Sequence, residues 1–179
     1  MAKSAGIDLT RLCDMHPRLP AEMGVIMALR AALGLQRNKH LPGTELQMAI
    51  EGARLREPLT WLAADLGTLA QHDSRRITED GAEGIALAVA HKTRGWQIVR
   101  RMQQEEHADW LLEHRGGKAR RLVAFELSGT DGRSIARPLR DKLAQVARCV
   151  DADLRCAGVV GFKQPQAALQ SVEAGSHAR

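Results

Sequence analysis

Residues 108–127 read ADWLLEHRGGKARRLVAFEL. Two short apolar runs, Ala108 to Glu113 and Leu122 to Leu127, flank Arg115-Gly116-Gly117-Lys118. A glycine pair between such runs predicts a β-hairpin. The second run is apolar almost throughout, the pattern of a central strand covered on both faces. Two acidic residues, of types disfavoured inside strands, nevertheless stand out beside these apolar runs: Asp109 near the start of the first and Glu126 near the end of the second. An ionised carboxylate taken out of water costs several kcal/mol unless it is paired or bound to a metal. Hairpin pairing brings the two groups near each other, and a divalent cation relieves the repulsion between them. Oxygen donors select Mg2+ or Mn2+ rather than zinc. The plainer alternative is a strand-end charge pair in which each carboxylate reaches an arginine.

Working upstream, Asp80 and Glu83 stand three apart like a capping box. They predict a helix that continues through Ile85, Leu87, Val89 and Ala90 and stops at Gly95. Trp96 to Met102 (WQIVRRM) is a short strand. Downstream, Ser128 to Ser134 is a Gly-rich loop, Ile135 to Val150 a helix with Leu139, Leu143, Val146 and Ala147 on one stripe, and Cys156 to Phe162 (CAGVVGF) a further strand. Residues 76–166 therefore predict an α/β (α+β) core in the order helix, three strands, helix, strand, with a mixed sheet.

The polar, basic stretch His72 to Ile77 marks a boundary. Residues 1–75 predict a small helical region: Ala21 to Leu33, Thr44 to Leu55 with Leu46, Met48, Ile50 and Ala53, and a third helix from Pro58 to about Gln71. Residues 167–179, small and polar, predict a flexible tail.

Aromatic residues make up only 3% of the chain, which argues against a single-strand binder that stacks bases on rings. Three scattered cysteines, Cys13, Cys149 and Cys156, form no Cys-x-x-Cys pair, so a zinc site and a disulfide framework are both disfavoured and a cytoplasmic location is expected. The longest apolar runs are far short of a membrane span. The net charge of +5 is uneven: residues 92–148 carry 13 Lys/Arg against 7 Asp/Glu, a net of +6. That local excess points to a polyanion such as nucleic acid, or to a merely solvated face.

The order of elements resembles the PD-(D/E)xK, or restriction-endonuclease-like, nuclease superfamily. There a helix bearing a Glu leads into a hairpin, an Asp begins the second strand, and a Glu or Asp lies on the third, followed by any residue and usually Lys. The matching text is Glu83 in EDGAEGIALAVAHKTRGW, Asp109 in ADWLLEH and Glu126 in LVAFELSG, within residues 79–165. The resemblance implies Mg2+ (or Mn2+) held by Asp109, Glu126 and the backbone carbonyl of Leu127, with Glu83 as an accessory acid. The position two after Glu126 is Ser128 instead of Lys. Related members supply the amine from the following helix, where Lys142 lies in RPLRDKLAQ with Gln145 close by. His107, two residues before Asp109, would share its strand face and neighbour the site.

The expected activity is metal-dependent hydrolysis of phosphodiester bonds in DNA by Asp109, Glu126, Ser128 and Lys142. Arg100, Arg101, Arg120, Arg121, Arg133, Arg137 and Arg140 would meet phosphates. The alternative, favoured by Ser128, is a non-cutting module of the same fold that binds nucleic acid or a protein partner in a larger assembly. The N-terminal helices would offer the docking surface, and a homodimer stays open.

Overall fold

The fold is a computed structural model that describes residues 6–114 and 119–173. Strand β1 (Ile7–Asp8) leads through a 3-10 turn into the one-turn helix α1 (Leu12–Met15) and the long helix α2 (Ala21–Arg37). Strands β2 (Thr44–Ile50) and β3 (Ala53–Thr60) follow as an antiparallel hairpin, where a helix was expected over 44–55. The reason is the period. Leu46, Met48 and Ile50 are buried and alternate with exposed Glu45, Gln47 and Ala49, which is the two-residue repeat of a strand. Glu51 and Gly52, at φ +50° and +83°, make the two-residue turn that such hairpins favour. Pro58, expected to start a helix, lies within β3 opposite Glu45, and only a 3-10 turn, Leu66–Gln71, remains of the third helix.

Helix α3 (Ser74–Arg94) begins earlier than expected. Asp73 supplies the cap, its side chain accepting from the Arg76 N–H at 3.0 Å. Asp80 is thereby an interior residue of the helix. Gly95, left-handed at φ +66°, ends it. Strands β4 (Gln97–Arg101), β5 (Trp110–His114) and β6 (Arg121–Thr130) form an antiparallel run, helix α4 (Ala136–Val146) crosses over, and β7 (Leu154–Gly161) returns parallel to β6. The order helix, three strands, helix, strand thus runs from α3 to β7. The Arg115–Lys118 turn lies outside the described residues.

The expected flexible tail is instead strand β8 (Gln166–Glu173), antiparallel to β7 and parallel to β2, with residues 174–179 outside the described residues. Small Ala167 and Ala168, with Leu169, are buried there. Pairing on both edges overrides the low strand propensity of this stretch. β8 also joins the N-terminal hairpin to the rest, giving one eight-stranded mixed sheet in the order β1-β3-β2-β8-β7-β6-β5-β4.

The sheet has a core on each face. On one, Trp110, Leu112, Val123 and Phe125 pack with α2 and α3; on the other, Leu111, Ala124 and Ala157 pack with α4 through Val146, Leu139 and Leu143. Helices α2 and α3 approach closely because Gly81 has no side chain: a Cβ there would lie 2.9 Å from the Arg30 and Ala31 backbone. His16 is fully buried; its Nδ1 accepts from the Ile98 N–H (3.3 Å), so Nε2 donates to the Leu87 carbonyl (3.0 Å). No helix among the described residues is long and apolar enough to cross a membrane.

Candidate functional site

The register of the β5–β6 pair places the site. Trp110 faces Phe125 and Leu111 faces Ala124, so the next step outward brings Asp109 beside Glu126. Alternation assigns both to the face of Leu111 and Ala124, which is the α4 face. Asp109 is pinned on both sides. Its N–H donates to the Phe125 carbonyl (3.1 Å), its carbonyl accepts from the Met102 N–H (2.9 Å), and its Oδ2 accepts from the Leu127 N–H (2.7 Å). A residue's N–H and C=O point to the same edge of a strand, so the Leu127 carbonyl opens toward the Asp109 edge.

Glu126 is 2% exposed, and Lys142 Nζ from α4 donates to its Oε1. The same ammonium donates to Gln145 Oε1 at 3.3 Å, so Gln145 steers Lys142. The Asp109 carboxylate, across from Glu126 in the continued β5–β6 register, is close enough for its charge to act on Glu126. Burial, and then the Asp109 charge, push the Glu126 carboxyl up to about 7 against the pull of Lys142.

A polar cleft of about 290 Å3 is lined by Asp109, Leu127, Ser128 and Lys142, by Glu79, Asp80 and Glu83 of α3 and by Arg101 of β4; the almost fully buried Glu126 is not among the lining residues. Among the described residues no three His, Cys, Asp or Glu side chains are grouped to hold a metal ion. The donor set is two adjacent carboxylates with a backbone carbonyl on their edge. It fits Mg2+, which is commonly held by one or two carboxylates and keeps several waters.

Glu83 faces the cleft, but both its oxygens are taken by Arg101, each at 3.0 Å, and Oε2 also accepts from Trp110 Nε1 at 3.3 Å. Burial raises its pKa against the pull of Arg101. Arg101, expected at a phosphate, instead lies over the Trp110 ring, 5.0 Å from its centroid, and clamps Glu83. Sequence reasoning missed Glu79 and Asp80 as cleft residues. For Asp80 the signal was present, because Asp80 and Glu83 stand three apart on one helix face. Asp80 is paired with Arg30 of α2.

The other six arginines do not line the cleft. Arg100 is bound to Glu106 and Arg120 to Glu113, while Arg137 makes an exposed pair with Asp141. Arg121, Arg133 and Arg140 are exposed. His107 is also outside the cleft. It sits in the turn before β5 at φ +62°, off the strand, so the alternation that linked its face to Asp109 does not apply. All three cysteines are free thiols.

Set against known proteins, the chain matches no family model, no curated protein and no solved structure.

Proposed function

We propose that this protein is a metal-dependent phosphodiesterase acting on DNA, a variant of the restriction-endonuclease-like superfamily in which Lys142 on α4 stands in for the motif lysine. The observation that carries the reading is the meeting of Asp109 and Glu126, with the Lys142 ammonium delivered onto Glu126 from the next helix. The run α3-β4-β5-β6-α4-β7, with β6 and β7 parallel, supports the same assignment.

Mg2+ or Mn2+, when bound, supplies charge to a phosphate under attack and lowers the pKa of a water. Asp109, Glu126 and the Leu127 carbonyl are the groups to hold it. Lys142 offsets the Glu126 charge and presents N–H donors to a phosphate oxygen or the attacking water. Gln145 fixes the direction of that ammonium, and Ser128 offers a hydroxyl at the cleft wall. Glu83 acts through Arg101 and Trp110, setting the wall opposite.

The experiment is cleavage of DNA with Mg2+ or Mn2+ by the wild type and by Asp109→Asn, Glu126→Gln and Lys142→Ala. The first two variants are expected to lose cleavage at least about 100-fold, and Lys142→Ala about 10- to 100-fold, the range of a positioned proton donor or charge. Equal activity in all four proteins removes the assignment.

The Glu126–Lys142 and Glu83–Arg101 pairs also favour a second reading, a nuclease-like module whose carboxylates are already compensated and which binds without cutting. Such a module takes up no divalent ion at this site.

A further inference from the structure

A second cavity, of about 260 Å3, adjoins the polar cleft and has Asp80, Glu83 and Arg101 in common with it. Its chemistry is different. Met23, Ile26 and Met27 of α2 give it an apolar floor, and Arg30 and Arg76 add guanidinium groups. We propose that this cavity takes the nucleobase of a nucleotide whose phosphate lies in the cleft, so that the substrate is DNA with an unpaired base at the point of cleavage. The inference rests on the phosphodiesterase reading above and names its substrate class.

Adjacency is the first support. A base stands one sugar away from its phosphate, and the two cavities share three lining residues, Asp80, Glu83 and Arg101. The floor is the second. Enzymes that hold an extruded base close on its ring faces with aromatic or apolar groups and read its edge with hydrogen bonds. With aromatics at 3% of the chain, thioethers take that part here, since sulfur packs favourably on aromatic rings. Ile26 is 43% exposed, so this apolar surface is open to a ligand.

The polar groups are the third support. Arg30 lines the cavity and is held in place by Asp80. Arg76 is exposed and has no ion-pair partner among the described residues, which suits a neighbouring phosphate. Three guanidinium groups against two carboxylates leave the cavity lining net positive, which suits the phosphates that flank the base. A base stacked in a duplex cannot enter without being flipped out at a cost of a few kcal/mol. Single strands and frayed ends are therefore the preferred substrates.

The test uses a single-stranded oligonucleotide and the same strand with one abasic residue, cleaved with Mg2+ by the wild type and by Ile26→Ser. In the wild type, the linkage beside the abasic residue is expected to be cut roughly tenfold more slowly than its counterpart in the intact strand, the effect of losing one stacked base. Ile26→Ser is expected to slow cleavage of the intact strand several-fold and to leave the abasic linkage at the wild-type rate. That unchanged rate also shows that the variant is folded. Equal wild-type rates at the abasic and intact linkages overturn the proposal, as does an equal loss on both strands in Ile26→Ser. In either case the phosphodiesterase reading stands. No cleavage of either strand overturns that reading and the base pocket with it.

Discussion

At the scale of single residues, Glu126 governs how the site responds to pH. Its carboxyl is raised from 4.5 to about 7, first by burial and then by Asp109. A folded-state pKa above the unfolded value means that the folded protein holds the proton more tightly. The stability this group contributes is therefore complete below pH 4.5 and is lost as pH rises through about 7. Metal-free Glu126→Gln is accordingly expected to melt at a higher temperature than the wild type at pH 8, with the gap closing by pH 5, in paired thermal scans. A gap of the same size at both pH values would place the gain outside this carboxyl. In the proposed metal site the same proton would compete with a divalent ion at Glu126.

His16 makes the opposite case. Burial lowers its pKa from 6.5 to about 4, and it stays neutral while joining α3 to β4. The unfolded chain takes up the proton first, so this stabilisation is complete above pH 6.5 and is lost as pH falls toward 4. A shift of this size corresponds to about 3 kcal/mol. Between pH 7 and pH 4 the wild type should lose about that much stability relative to His16→Gln, measured by urea unfolding. Parallel pH profiles for the two proteins would show that His16 carries no such linkage.

At the scale of elements, the hairpin around the site was legible in the sequence because its signals are local. A glycine pair, two apolar runs and two misplaced carboxylates all lie within residues 108–127. Lys142 was singled out only as a replacement for the lysine missing at Ser128; its contact with Glu126 depends on how α4 crosses the sheet and emerges from the structure. The N-terminal hairpin was misread because Leu46, Met48, Ile50 and Ala53 fit a helical stripe loosely, while the strict alternation of the first three is a strand's. β8 was not legible at all. Its residues have little strand propensity, and only the two flanking strands, β2 and β7, distant in sequence or joined by a short turn, make them a strand. His107 failed for a third reason: a positive φ breaks the alternation that the argument relied on.

β8 makes a prediction that a frayed tail would not. Leu169 is 2% exposed and sits between Ile50 and Gly158. Leu169→Ala is expected to destabilise the protein by about 2–4 kcal/mol, the range for a leucine truncated in a packed core. A chemical-denaturation midpoint unchanged from wild type would contradict the strand.

At the scale of the whole molecule, one sheet carries both halves of the chain, and the site sits where β5 begins beside β6, between α3 on one face and α4 on the other. That placement lets α3 contribute Asp80 and Glu83 while α4 contributes Lys142 to a single cleft. The basic excess of residues 92–148 is divided in the fold. Arg100, Arg101 and Arg120 are engaged by carboxylates, whereas Arg121, Arg133 and Arg140 are exposed on the surface.

The central claim is that Asp109 and Glu126 form a divalent-cation site. Calorimetric titration of Mn2+ at pH 8 into the wild type and into the double variant Asp109→Asn/Glu126→Gln tests it most directly. A saturable site is expected in the wild type and none in the variant, with the variant still folded by circular dichroism. Uptake of the ion by both proteins alike, or by neither, would contradict it.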